Sequence, residues 1–211
     1  MGEKFGFRKE YMKKIGIILI IGAITVIAFY YVYQITNNKK IEQEVNHYIE
    51  KTSIKEEIST ENIEEVVEEK KTEQREINYT AILEIPSINL KRGVVNSTRN
   101  FSSINYAISV DKNSNYPNEN GNFILYAHSG NSSIAYFRNL NKVNKNDHIY
   151  IYYSGIKYEY KITNKYTIEK TGKANVIASK DNRYITLITC SQEQKNKQIV
   201  LVGNLTNEKE Y

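Results

Sequence analysis

Two side chains in this chain carry chemistry that an enzyme uses on acyl groups, Cys190 and His128. Cys190 is the only cysteine, and it ends the run Tyr184-Ile185-Thr186-Leu187-Ile188-Thr189. That run has the β-branched and aromatic composition of a buried strand. The polar residues Ser191, Gln192 and Glu193 follow at once. A thiol placed there sits at the rim of a sheet, held still by its strand and open to a substrate. His128 ends a second strong strand pattern, Asn122-Phe123-Ile124-Leu125-Tyr126-Ala127, which Gly121 precedes. A thiolate is a nucleophile for acyl transfer, and an imidazole beside it lowers the thiol pKa and protonates a leaving amine. The two residues are far apart in sequence, so only the fold can bring them together. Each also has a plain structural reading: a lone cysteine is a small buried hydrophobe, and a lone histidine is a satisfied, partly buried side chain. His148 opens a later strand pattern and reads as structural, and His47 reads as exposed. One Cys and three scattered His do not make a structural zinc site, and a single Cys excludes an internal disulfide framework.

The elements that must position these residues begin well downstream of the N-terminus. Residues 1–14 are short and basic. Residues 15–35 follow as an apolar run (Ile15 to Tyr33 without a charge), with Tyr30, Tyr31 and Tyr33 clustered at its far end. At 1.5 Å per residue this run crosses a hydrocarbon core of about 30 Å, and the tyrosines fall where an interfacial aromatic belt belongs. An uncleaved anchor is expected rather than a signal peptide, whose apolar region is shorter and ends in small residues. The basic flank places the N-terminus in the cytoplasm and the remainder outside. Residues 36–76 then form a stretch in which Glu outnumbers Lys and Arg and which has no Gly or Pro. Ile41, Val45, Tyr48 and Ile49 recur at helical spacing, as do Ile54, Ile58, Ile63, Val66 and Val67. The stretch reads either as a helical stalk or as a solvated spacer. The net charge of +5 is spread among interleaved Lys and Glu, so it does not argue for nucleic acid.

From residue 77 to 211 the pattern is one of short strands. Ala81–Ile85 stops at Pro86, which cannot continue a ladder. Leu90–Val95 is a second run. Residues 96–120 are rich in Asn and Ser and read as loops, with scattered Phe101, Ile104, Tyr106 and Ile108. After the His128 strand comes a short amphipathic piece, Ile134–Leu140. His148–Tyr153 and Ile156–Thr163 flank Ser154-Gly155, a two-residue hairpin turn. Tyr166–Glu169, Tyr184–Cys190 and Gln198–Leu205 complete the strands, and Ala174–Ala178 reads as a helical turn. About eight short strands with little helix predict a mainly β domain, a closed barrel or a sandwich.

Four stretches carry a family resemblance: ILEIPSINL (82–90), FILYAHSG (123–130), YFRNL (136–140) and TLITC (186–190). In this order, behind an N-terminal anchor, they resemble the sortases, the membrane-anchored cysteine transpeptidases of Gram-positive bacteria. TLITC matches the family's Thr-Leu-x-Thr-Cys signature at every defined position. The resemblance implies an eight-stranded sortase-type β-barrel with short helices. It implies cleavage of an LPxTG-like sorting signal near the C-terminus of a secreted protein, through a thioacyl-enzyme. An amine, usually from a peptidoglycan precursor, then accepts the protein. On this resemblance Cys190 is the nucleophile, His128 the general acid and then base, and Thr189 lines the substrate groove.

The chain departs from the family at one position. The family usually carries an Arg at the start of the strand after the Cys loop, where it holds the substrate carbonyl or the developing oxyanion. Here the segment reads KNKQIVLVGNL (195–205), which puts Gln198 at that position with Lys197 beside it. Gln donates hydrogen bonds without charge; Lys brings charge without a planar fork. Arg138 and Arg183 lie outside the family's position. No cofactor is expected. Calcium modulates some sortases, but no acidic cluster here is assignable to it. Two other readings stay open beside wall anchoring: a pilin-polymerising sortase, and a non-catalytic surface binding module on the same barrel.

Overall fold

The computed structural model describes residues 3–53, 79–96, 107–171, 174 and 180–211. The chain divides into two compact units, Met1–Gln43 and Glu44–Tyr211. The first is the greater part of one helix, α1 (Glu3–Ser53). The helix is long and apolar enough to cross a membrane. Its apolar side chains from Ile17 to Ile35 lie exposed. The expected stalk therefore begins as helix to Ser53; the rest of it, with Ile54, Ile58, Ile63, Val66 and Val67, lies outside the described residues.

The second unit is built on eight strands: β1 (Ala81–Ile85), β2 (Leu90–Asn96), β3 (Ile108–Val110), β4 (Gly121–Tyr126), β5 (His148–Tyr153), β6 (Ile156–Glu169), β7 (Arg183–Cys190) and β8 (Lys197–Glu210). They close into a barrel in the order β1-β2-β3-β4-β7-β8-β6-β5. The β2–β3 and β4–β7 pairs are parallel and the others antiparallel. Alternation along each strand sorts side chains between interior and exterior. Leu83, Phe123, Leu125, Ile149, Ile151, Tyr158, Tyr160, Ile185, Leu187 and Leu201 fill the interior with essentially no exposure. Every second residue of β4, β7 and β8 consequently points outward.

Local chemistry explains the connections. Ser154 and Gly155 take φ of 49° and 78°, the paired left-handed conformation whose twist suits a two-residue β-hairpin. Pro86 opens a single 3-10 turn, Pro86–Ile88, and Asn89 closes it at φ 51°. Three expectations are corrected. The runs 156–163 and 166–169 are one strand, which keeps pairing with β8 through register shifts at Glu159/Tyr160 and Ile162/Asn164. Such bulges bend a long strand around a barrel without ending it. Within the stretch read as loops, Ile108–Val110 forms β3, wedged between β2 and β4. Strand β8 runs past Leu205 to Glu210, its polar end paired with β6. Phe101, Ile104 and Tyr106, and most of Ala174–Ala178, lie outside the described residues.

Candidate active site

Cys190 is the last residue of β7 and is partly exposed. Ile185, Leu187 and Thr189 turn inward, so Thr186, Ile188 and Cys190 turn outward. In β8 the inward residues are Ile199 and Leu201, which leaves Gln198 and Val200 on the outside. The antiparallel register sets Gln198 directly opposite Cys190. Residues directly opposite in adjacent strands share a face at about 4.5–5.5 Å.

On the other side of β7, parallel strand β4 pairs Tyr126 with Ile188. Pairing does not stop where β4 ends. The Ala127 amide donates to the Ile188 carbonyl (3.4 Å), and Thr189 Oγ1 donates to the Ala127 carbonyl (2.8 Å). Ser129 Oγ donates to the Cys190 carbonyl (2.6 Å). Carrying the Tyr126–Ile188 offset two residues further puts His128 level with Cys190. His128 lies between Ala127 and Ser129, both of which are bonded to the end of β7, so its segment borders Cys190. The result is a row of segments at one rim, with Cys190 at the end of β7 between Gln198 at the start of β8 and the His128 segment that follows β4. A thiol, an imidazole and a neutral amide gathered at one rim are the groups that attack on a carbonyl uses.

The loops at this rim are tied down. The Phe137 amide donates to the His128 carbonyl (3.0 Å), and Phe137 and Leu140 are fully buried in the core. Arg138 Nε donates to the Gly130 carbonyl (2.7 Å) and its Nη2 to the Ser132 carbonyl (2.8 Å). After Cys190, Ser191 Oγ accepts the amides of Glu193 (3.3 Å) and Gln194 (3.0 Å). The Ser191 amide donates to the Lys197 carbonyl (2.9 Å), and Asn196 supplies the left-handed residue (φ 61°) that lets the chain reverse. Gln192 Nε2 then donates to the Arg138 carbonyl (2.6 Å), joining the Cys190 loop to the His128 loop. A crevice of about 300 Å³ lies beside this turn, lined among others by Asn141, Lys165, Thr167, Ser191, Glu193 and Ile199.

The remaining expected residues fall as follows. Lys197 follows the alternation to the face opposite Gln198, and its ammonium meets the Glu169 carboxylate. Thr189 is 3% exposed and spends its hydroxyl on Ala127, so it braces the row from behind. Arg183 opens β7, about 23 Å of strand away from Cys190, and pairs with Glu208 (2.7 Å). His148 Nδ1 meets Glu159 Oε1 at 2.6 Å on the outside of β5 and β6, and His47 is exposed on α1. Sequence reasoning missed Ser129 and Gln192. Nothing in a lone Ser or Gln announces a bond to a backbone carbonyl. Among the described residues no cluster of three or more His, Cys, Asp or Glu is placed to hold a metal.

The family model described as Sortase domain matches residues 83–206, the barrel from β1 into β8 with all three members of the row. The chain belongs to the sortase family. Sortase A of Bacillus anthracis is 29% identical over 128 residues, which are 60% of this chain and 60% of that relative. This chain therefore spans about 60% of the length of the curated relative it matches. Among solved structures, Listeria monocytogenes sortase A superposes with a TM-score of 0.56 at 26% identity, over 63% of this chain and 90% of that one. A Clostridium perfringens Sortase D5 transpeptidase gives 0.56 at 17% identity, over 80% of this chain and 95% of that one. Streptococcus agalactiae Sortase C1 gives 0.55 at 21% identity, over 63% and 68%. The last two are likenesses of fold. In this sortase the residue opposite the rim cysteine is a neutral Gln.

Proposed function

We propose that this sortase is a membrane-tethered cysteine transpeptidase that joins a secreted protein to an amine of the cell wall. The observation that carries the reading is that Gln198 of β8 stands directly opposite Cys190 while the His128 segment, bonded through Ser129 to the Cys190 carbonyl, borders it on the other side. The substrate is a polypeptide with an LPxTG-like sorting signal. Cys190 Sγ, as thiolate, attacks the Thr carbonyl of that signal and forms the C–S bond of a tetrahedral adduct. The Gln198 carboxamide donates to the oxyanion, a role that needs an N–H and not a charge. The C–N bond to the following Gly breaks as His128 gives its proton to the departing amine. The thioacyl-enzyme is resolved by an amine of a peptidoglycan precursor. His128 takes the proton of that amine as the new amide forms and the C–S bond breaks, which restores the thiolate.

The apolar part of α1 is the anchor. The basic residues before it argue for a cytoplasmic N-terminus and an extracytoplasmic barrel. The test is transfer of a fluorescent sorting peptide to an added amine, with His128→Ala and Cys190→Ala as controls. Both variants are expected to be silent while remaining folded. Transfer that survives Cys190→Ala overturns the proposal.

A further inference from the structure

The end of α1 is built into the barrel unit. Glu44, Tyr48 and Thr52 recur at intervals of four and lie on one helix face. The Tyr79 hydroxyl donates to Glu44 Oε2 (2.9 Å), and the Tyr48 hydroxyl donates to the Thr80 carbonyl (2.7 Å). Thr52 Oγ1 shares a 2.7 Å hydrogen bond with the hydroxyl of Tyr211. Val45, on the same side, is 1% exposed, while Asn46, His47, Glu50 and Lys51 face solvent.

The barrel is shaped to receive this face. Ile82 lies on the outward side of β1, opposite Gly93 of β2 and Tyr152 of β5, yet it is fully buried and stands apart from the barrel core. Gly93 makes room for the Tyr79 ring: a Cβ there would sit 2.0 Å from Tyr79 Cε1. At the other end the Tyr211 amide donates to the Gly155 carbonyl (3.1 Å), and the Tyr211 ring meets Tyr152 edge-on at 5.2 Å. The helix end thus touches the approach to β1, the β5–β6 turn and the C-terminal residue.

We infer that the outward face of β1, β2 and the β5–β6 turn is a docking surface for residues 44–53 of the same chain, and that this contact holds the barrel to its anchor helix independently of residues 54–78. The own chain is the occupant because its connection closes easily. Residues 54–78 reach on the order of 80 Å when extended, whereas Glu44 and Tyr79 are in direct contact. An intramolecular partner on such a tether acts at an effective concentration of about millimolar, far above that of a second copy in dilute solution. A cut in the Glu-rich segment therefore leaves the barrel attached. This inference does not depend on the catalytic reading.

The experiment uses the full chain in detergent micelles with a protease site inserted between Glu65 and Val66. After complete cleavage, the N-terminal fragment and the barrel are expected to co-elute in size exclusion. Val45→Asp in the same protein is expected to separate the fragments, with the barrel's far-UV circular dichroism unchanged. Separation of the fragments without any substitution overturns the inference. So does continued co-elution with Val45→Asp, since the contact then lies elsewhere. A third arm mixes two differently tagged copies before cleavage; capture of one copy's helix with the other's barrel overturns the assignment to the own chain.

Discussion

Replacing Gln198 by Ala removes the one side-chain amide that the β7–β8 register sets opposite Cys190, the proposed nucleophile. Loss of one oxyanion donor costs about 10²–10³ in kcat, or about 2.7–4 kcal/mol of transition-state stabilisation. The neighbouring Lys197 supplies the contrast. Its ammonium lies on the opposite face and is engaged by Glu169, in a pair whose side chains are 35% and 62% exposed. Exposed pairs of this kind contribute about 0–1 kcal/mol. Lys197→Ala is therefore expected to leave stability nearly unaltered and, with its ammonium away from Gln198, to keep kcat within a few-fold of the parent. Gln198→Arg adds a cation about 5 Å from the thiol. At an effective dielectric of about 20 the pair energy is at most about 3 kcal/mol, and partial exposure screens it further. This variant is expected to keep or raise kcat and to extend activity to lower pH, because a nearby cation favours thiolate. The assay is steady-state transfer of a sorting peptide to an amine, with kcat and KM separated. A drop of about 100-fold for Lys197→Ala with Gln198→Ala within a few-fold of the parent would refute the assignment of the donor to Gln198.

Other outcomes follow from the packing. Gly93→Ala sets a Cβ against the Tyr79 ring and is expected to cost about 1–3 kcal/mol as overpacking, read as a fall in melting temperature. Tyr160 is fully buried, and among the described residues its hydroxyl has no hydrogen-bond partner. Tyr160→Phe relieves that cost and is expected to raise the melting temperature by a few degrees, corresponding to about 1 kcal/mol. Burial holds the Tyr48 and Tyr79 hydroxyls well above the ordinary tyrosine value of 10.0, with the Glu44 hydrogen bond adding to it for Tyr79. A pKa raised on folding contributes stability that is full below about pH 10 and is lost as the pH rises through the folded value. Thermal melts are therefore expected to fall above about pH 10, and Tyr48→Phe is expected to flatten part of that fall.

The strands that carry the site were legible because their chemistry is local. TLITC alternates inward Leu187 and Thr189 with outward Thr186, Ile188 and Cys190, and a β-branched run of that kind suits little else. The Ser154-Gly155 turn was legible for the same reason. Strand β3 was not. Three residues have too little pattern to announce a strand, and Ile108–Val110 is held by β2 and β4 on either side. The polar stretch Asn164-Lys165 resembles a break, but it stays in β6 because β8 pairs across it. Which of Gln198 and Lys197 stands opposite Cys190 was illegible for a sharper reason. It depends on the number of residues the chain takes to reverse after Cys190, and a slip of one residue exchanges the two faces of β8. Ser191, Asn196 and the amide of Ser191 fix that number. The helical spacing of Val45, Tyr48 and Ile49 was visible, but a spacing does not name the surface it packs on.

The central claim is that Cys190 forms an acyl bond to a sorting signal with the help of His128. Intact-mass measurement of the whole chain in detergent micelles, incubated with a panel of LPxTG-like peptides and no acceptor amine, tests it most directly. The account predicts an adduct equal to the acyl fragment, mapped to Cys190, absent in Cys190→Ala and strongly reduced in His128→Ala. A folded protein that forms no adduct with any peptide in the panel, or one whose adduct persists in Cys190→Ala, would contradict it.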